Sequence, residues 1–220
     1  MHMSEITICY GMTETAPVSA QSSTSDSVEQ RVGTVGRVHP HLEIKIVDEQ
    51  GKVVPRGQLG ELCVRGYSVM LGYWEDHEKS QEVIDSARWM HTGDIAEMDE
   101  AGFVKIKGRI KDVVIRGGEN LFPKEIEDFL YTHPDVSDVQ VIGLPDTRYG
   151  EELCACIILH EHHEITEESI RQYCAEHISH NKVPRYVRFF NEFPMTASGK
   201  AQKFKLQEFM RNELDLKEIA

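Results

Sequence analysis

Apolar positions follow two different rhythms in the two halves of this chain. In the first half they come in short runs separated by glycine-rich turns. Ile6-Thr7-Ile8-Cys9-Tyr10 predicts a short buried strand, and the Ser-, Thr- and Ala-rich stretch from Pro17 to Glu29 predicts a long loop. Leu42 to Ile46 alternates apolar with polar, as a half-buried strand does. Asp48 to Gly51 then supplies a turn, and Glu61 to Arg65 a second strand. Glu75 to Asp85 is polar and helix-compatible. Asp94 to Met98 and Phe103 to Lys107 predict a hairpin that turns over Asp99-Glu100-Ala101-Gly102. From about Thr34 to Lys107 the pattern is a run of short strands, barrel-like or sandwich-like.

Past Gly108-Arg109 the rhythm changes. Val113-Val114-Ile115 is a compact β-branched run followed by Gly117-Gly118, and Pro123 suits the first position of a helix that runs through Tyr131 and ends at Pro134. Val139 to Gly143 and Leu153 to Leu159 predict strands. Thr166 is placed to cap a helix whose first turn carries Glu167 and Glu168, with Ile170, Tyr173, Cys174 and His177 on one face. A last helix is expected from about Phe204 to Leu214. The predicted class is α+β: residues 1–110 form a strand-rich, barrel-like part and residues 111–220 a small α+β domain, with the boundary near Lys111.

Charge and cysteine content narrow the function classes. Twenty-four Lys and Arg stand against 37 Asp and Glu, a net charge of −13, which disfavours nonspecific binding to nucleic acid. Apolar runs are only a handful of residues, against about 20 needed to cross a bilayer. Five cysteines without a CxxC favour reduced thiols, and Cys154 and Cys156, two apart on a predicted strand, favour core packing. His160-Glu161-His162-His163 falls in a predicted turn and is expected to be solvated, while Trp74 and Trp89 are expected to anchor the core. His180 to Lys205 holds six basic residues (Lys182, Arg185, Arg188, Lys200, Lys203, Lys205) and one acid, Glu192. That local excess suits either a solvated surface or a site for several phosphates.

Four segments carry candidate chemistry. Tyr10-Gly11-Met12-Thr13-Glu14-Thr15 lines up a flat aromatic, a glycine, a hydroxyl and a carboxylate, which could stack a base, contact a phosphoryl oxygen and ligate Mg²⁺; a strand running into a turn accounts for it almost as well. His91-Thr92-Gly93-Asp94, with Arg109 fifteen residues after Asp94 across the predicted hairpin, could hold two ribose hydroxyls or be an ordinary surface ion pair. Arg109-Ile110-Lys111-Asp112, leading to Arg116-Gly117-Gly118-Glu119-Asn120, suits a linker and a close backbone approach, or a glycine bulge. Pro194-Met195-Thr196-Ala197-Ser198-Gly199-Lys200 presents a loop lysine but lacks the spacing of a phosphate-cradling P-loop.

Together, and with Gly60-Glu61-Leu62-Cys63-Val64-Arg65-Gly66 and Leu71-Gly72-Tyr73-Trp74, these segments resemble the adenylate-forming superfamily from Tyr10 to about Leu214. Arg116 to Asn120, with Pro123 and Glu125-Ile126-Glu127, resembles its acyl-CoA synthetase branch, and the medium-chain type most closely. The resemblance implies a ligase that joins a fatty acid to coenzyme A with ATP, through an acyl-adenylate and AMP. It implies that Tyr10 stacks on adenine beside Ile106, that Gly11 and Thr13 adjoin the nucleotide with Thr13 at the α-phosphate, and that Glu14 holds Mg²⁺. By the same resemblance Asp94 binds the ribose with help from Arg109, Lys111 is the hinge, and Gly117, Gly118 and Glu119 line the channel for coenzyme A. Lys200 is the implied catalytic lysine of the adenylating step.

The family's Ser/Thr/Gly-rich phosphate loop, upstream of the segment corresponding to Tyr10–Glu14, is not present in these 220 residues. The expectation is therefore a C-terminal part whose upstream part and acyl pocket are missing, inactive by itself, with Met1-His2-Met3 a cloning remnant and Tyr10 to Glu29 short of sheet partners. The implied partners are small molecules (fatty acid, ATP, coenzyme A), and the implied compartment is the bacterial cytoplasm or the mitochondrial matrix. A nonribosomal-type adenylation domain and a non-catalytic nucleotide- or CoA-binding module stay as alternatives.

Overall fold

A computed structural model describes residues 5–163, 165–197 and 199–216; Met1-His2-Met3 and Ser198 of the lysine loop lie outside the described residues. The chain divides into two compact units, 1–110 and 111–220.

In the first unit β1 (Cys9–Tyr10), β2 (Ala20–Gln21), helix α1 (Val28–Gly33) and β3 (Arg37–Val38) precede β4 (Leu42–Val47), β5 (Gly60–Gly66), helix α2 (His77–Val83), β6 (Met90–Met98) and β7 (Val104–Arg109). β4 to β7 make an antiparallel meander, and β1, β2 and β3 a small second sheet. Backbone bonds between Val35 N–H and Val104 O (2.8 Å) and between Val104 N–H and Gly36 O (2.9 Å) tie the residues just before β3 to β7, the edge of the meander. Along β6 every second residue is buried, so Ala96 and Met98 point into a core with Ile46, Leu62 and Val104. Asp94 has the same parity and is therefore carried inward with them.

Several local expectations change here. Ile6 and Ile8 are 55% and 38% exposed, and only Cys9–Tyr10 is strand. The Pro17–Glu29 stretch contains β2, which pairs with β1 and gives the Tyr10 segment the sheet partner it was expected to lack. Trp74 is 90% exposed and anchors no core. Trp89 is half-buried and carries the Lys45 ammonium and the Arg65 guanidinium 4.4 and 4.5 Å from its ring centroid, a cation–π platform.

The second unit contains β8 (Val114–Arg116), β9 (Glu119–Leu121), α3 (Pro123–Leu130), β10 (Val136–Asp146), β11 (Gly150–Leu159), α4 (Glu167–His177), β12 (Tyr186–Phe189) and α5 (Lys203–Glu213). β9 and β12 carry too little periodicity to be read from sequence; β12 is held by parallel pairing to β11, and β9 by a hairpin with β8. β11 is the central strand and is apolar on both faces. Leu153, Ala155 and Ile157 pack with Ile126 and Leu130 of α3 and Ile170 and Cys174 of α4, while Cys154 and Cys156 pack with Leu206 and Met210 of α5. A strand covered on both sides needs no polar alternation, which is why Leu153 to Leu159 is a continuous apolar run. Burial of both thiols makes them core residues, and the neighbouring Cys156 sulfur together with desolvation pushes the Cys154 thiol far above its ordinary pKa.

Candidate functional site

Tyr10 ends β1 and Asp94 lies on the buried face of β6, 84 residues away, yet the Tyr10 hydroxyl donates to Asp94 Oδ2 at 2.5 Å. The other carboxylate oxygen lies 3.1 Å from Arg109 Nε, and Asp94 and Arg109 are direct cross-strand partners in the β6–β7 ladder. Asp94 is 7% exposed, so it needs both partners. Burial, followed by the Asp94 charge, holds the Tyr10 phenol well above its ordinary pKa, and it therefore stays a donor. Ile106 is half-buried and packs against the same apolar cluster as the Tyr10 ring.

The segment after Tyr10 is tightly folded. A Cβ on Gly11 would stand 1.7 Å from Pro17 O, so only glycine fits. Thr13 to Thr15 form one 3₁₀ turn that leaves Thr13 exposed. Glu14 is half-buried, its Oε1 accepts the Tyr73 hydroxyl at 3.0 Å, and its carbonyl accepts Met70 N–H at 2.9 Å. The remaining donor set at Glu14 is a hard carboxylate oxygen, which suits Mg²⁺ completed by phosphate and water oxygens.

Lys111 is exposed in a 3₁₀ turn, Ile110–Asp112, at the division between the two compact units. Gly117 and Gly118, at φ +61° and +86°, form a two-residue turn between β8 and β9. Two successive left-handed residues make it a primed turn, the kind whose twist matches a hairpin. This replaces the simple strand-end bulge as the reason for the glycine pair. Gly117 N–H is fastened to Tyr149 O at 2.8 Å, and Glu119 Oε2 accepts Asn181 Nδ2–H at 2.6 Å. Lys200 is exposed on a loop closed by Thr196 N–H to Lys200 O at 2.8 Å and Lys200 N–H to Thr196 Oγ1 at 3.0 Å.

The basic stretch from His180 to Lys205 is mostly neutralised by acids from elsewhere in the second unit. Lys182 pairs with Glu125, Arg185 with Asp146, Arg188 with Glu213 and Lys203 with Glu127. The local excess of charge is thus largely balanced, and the compensating carboxylates are remote in sequence, where a count along the stretch does not include them. Among the described residues His163 Nδ1 meets Asp135 at 2.5 Å, and no metal-ligating group forms at His160–His163.

Glu61, in the Gly60–Gly66 segment, reaches His91 Nδ1 at 2.7 Å and Gly93 N–H at 3.0 Å, and Cys63 Sγ lies 3.5 Å from the same imidazole nitrogen. Among the described residues Glu61, Cys63 and His91 are the one group of potential metal donors. In the sequence the signal for Glu61 is an acid at the second position of β5, next to the apolar run Leu62-Cys63-Val64.

Residues 1–74 match the family described as AMP-binding enzyme, and residues 125–200 match the AMP-binding enzyme C-terminal domain. The chain is 52% identical over 217 residues to the medium-chain acyl-CoA ligase ACSF2, mitochondrial, of Bos taurus, covering 98% of this chain and 35% of that protein. It is 50% identical over 209 residues to the putative acyl-CoA synthetase YngI of Bacillus subtilis, covering 94% and 38%. It thus spans about a third of the length of these relatives. Among solved structures, ATP-bound MatB from Rhodopseudomonas palustris is similar with TM-score 0.87 and 34% identity, over 94% of this chain and 41% of that one. The o-succinylbenzoate CoA synthetase MenE of Bacillus subtilis, solved with its acyl-adenylate intermediate, gives 0.85 and 30% over 92% and 41%.

Proposed function

Because this chain belongs to the AMP-binding enzyme family, we propose that it is the C-terminal part of a fatty acyl-CoA synthetase, which activates a carboxylic acid as an acyl-adenylate and transfers it to coenzyme A. The observation that carries this reading is the buried Asp94 held between the Tyr10 hydroxyl and the Arg109 guanidinium. A carboxylate offers roughly four acceptor sites, and two are used here, which leaves capacity for both ribose hydroxyls. Tyr10, fixed through its hydroxyl and backed by Ile106, offers a ring face to adenine, and Thr13 offers an exposed hydroxyl to the α-phosphate. The close-run backbone at Gly11 keeps that segment in shape.

Glu14, with Tyr73 orienting it, would hold Mg²⁺, which supplies charge neutralisation for the phosphates. Lys200, exposed at a loop tip, would stabilise negative charge as the carboxylate attacks the α-phosphate. Lys111, in a short turn between two compact units, is suited to absorb the backbone rotation of a domain swing. Gly117 and Gly118, with Glu119 beside them, would let the pantetheine arm of coenzyme A pass close to the backbone. A mitochondrial matrix or bacterial cytoplasmic setting is part of this reading; its support is that one relative is named as mitochondrial and another is bacterial.

The test joins this chain to the preceding two thirds of the Bacillus subtilis relative and assays thioester formation across acids of graded length. Activity is expected. Lys200→Ala is expected to abolish adenylation while sparing thioester formation from supplied acyl-adenylate, and Lys111→Pro is expected to do the reverse. The 220 residues alone are expected to release no pyrophosphate from ATP and octanoate. A chimera that folds but neither binds AMP nor loses activity on Asp94→Asn would refute the proposal.

A further inference from the structure

The strands β5 and β6 pair out of step at the candidate ribose site. Glu61 faces Ile95 and Cys63 faces His91, so the single residue Leu62 stands opposite three: Thr92, Gly93 and Asp94. A bulge of this kind takes backbone groups out of the ladder, and each buried group needs another partner. Side chains provide them. Thr92 Oγ1 donates to Leu62 O at 2.7 Å and accepts Asp94 N–H at 3.1 Å, and Glu61 Oε1 accepts Gly93 N–H at 3.0 Å. The second Glu61 oxygen meets His91 Nδ1 at 2.7 Å, at the residue just before the bulge. Gly93 sits at φ +71°, a conformation that the bulge imposes and that the bond to Glu61 holds in place.

From this geometry we infer that Glu61 is a positioning residue for the ribose carboxylate: it holds the Thr92–Asp94 bulge at its middle, Gly93, and at the residue before it, His91, and so sets the direction in which Asp94 leaves β6. The inference rests on Asp94 being the ribose ligand. Metal binding by Glu61, Cys63 and His91 is the weaker use of the same residues, because His91 Nδ1 is already spent on Glu61. Burial and the Glu61 charge also push the Cys63 thiol up to about 12, which keeps it protonated.

The experiment uses the 220-residue chain with Glu61→Ala, Glu61→Gln and, as a control, Glu43→Ala, which breaks an exposed pair with Arg65. Amide hydrogen exchange is read at Gly93 and Asp94, and AMP and 2′,3′-dideoxy-AMP are titrated by NMR. Glu61→Ala is expected to speed exchange at Gly93 by about tenfold or more, the size of a lost bond to a charged acceptor. It is expected to weaken AMP by a similar factor and leave the dideoxy analogue unchanged. Glu61→Gln keeps an acceptor oxygen and is expected to restore most of both effects, and Glu43→Ala to change neither. Unchanged Gly93 protection in Glu61→Ala overturns the inference, as does equal weakening of the two nucleotides, which marks a merely structural role. A wild-type chain that does not distinguish the two nucleotides counts instead against Asp94 as ribose ligand, while the exchange result still decides the clamp.

Discussion

Removing one carboxylate from the second unit is expected to be among the most damaging single changes in the chain. Glu152 lies on β11 with its side chain 1% exposed, and Arg116 at the end of β8 is 16% exposed. The Arg116 Nη2 group donates to Glu152 Oε1 at 3.1 Å and Nη1 donates to Asn181 O at 2.9 Å. Glu152 Oε2 lies 2.8 Å from Arg116 Nε but makes no hydrogen bond, so that contact is one of charge rather than of aligned donor and acceptor. Arg185 is 3.8 Å from Oε1, with its main partner Asp146 at 2.7 Å. Glu152→Ala therefore leaves the Arg116 charge largely buried, with the Asn181 carbonyl and the Tyr149 ring, 5.4 Å from its guanidinium carbon, in place of a carboxylate. Breaking such a pair costs about 3–5 kcal/mol. For a unit of this size that is a fall in Tm of roughly 15 °C. Replacing both members, Arg116→Met with Glu152→Leu, removes the stranded charge and is expected to cost less than about 1 kcal/mol. Urea unfolding followed by far-UV circular dichroism gives the free energies. Because both tryptophans, Trp74 and Trp89, lie in the first unit, amide exchange in β10 and β11 must assign the loss to the second. A Glu152→Ala loss below about 1 kcal/mol, or a double variant as unstable as the single, would refute the reasoning.

Three further outcomes follow from the same geometry. Gly11→Ala is expected to destabilise the first unit by about 1–3 kcal/mol, since its Cβ would overlap Pro17 O; urea unfolding by Trp89 fluorescence measures it. Leu153→Ala, at a fully buried site in the central strand, should cost about 2–5 kcal/mol in the same urea experiment followed by circular dichroism. Burial and the bond to Asp138 raise the Tyr131 phenol to about 12, so the stability it contributes is complete below the unfolded value of about 10 and is lost as pH climbs through the folded value. The difference in unfolding free energy between wild type and Tyr131→Phe should accordingly shrink between those two pH values, and a constant difference would contradict it.

Elements whose signal is local were legible in the chain itself. Thr166 caps α4, accepting Ser169 N–H at 3.1 Å, Pro123 opens α3, and the apolar run from Leu153 to Leu159 falls on strand β11. Hydrophobic period and capping chemistry involve residues within a few positions of one another, so composition and order suffice to state them. The chemistry-bearing segments could be named the same way, as sets of side chains suited to a nucleotide. What each of those side chains touches was decided only by the tertiary fold. Tyr10 meets Asp94 across 84 residues, and Lys203 finds Glu127 across 76. Glu61 acquires a role only because β5 and β6 pair with two residues out of step. Strand register and remote charge pairing are set by packing over the whole unit, since a carboxylate is drawn to whichever donor the buried sheet faces bring within reach, however far apart the two lie along the chain.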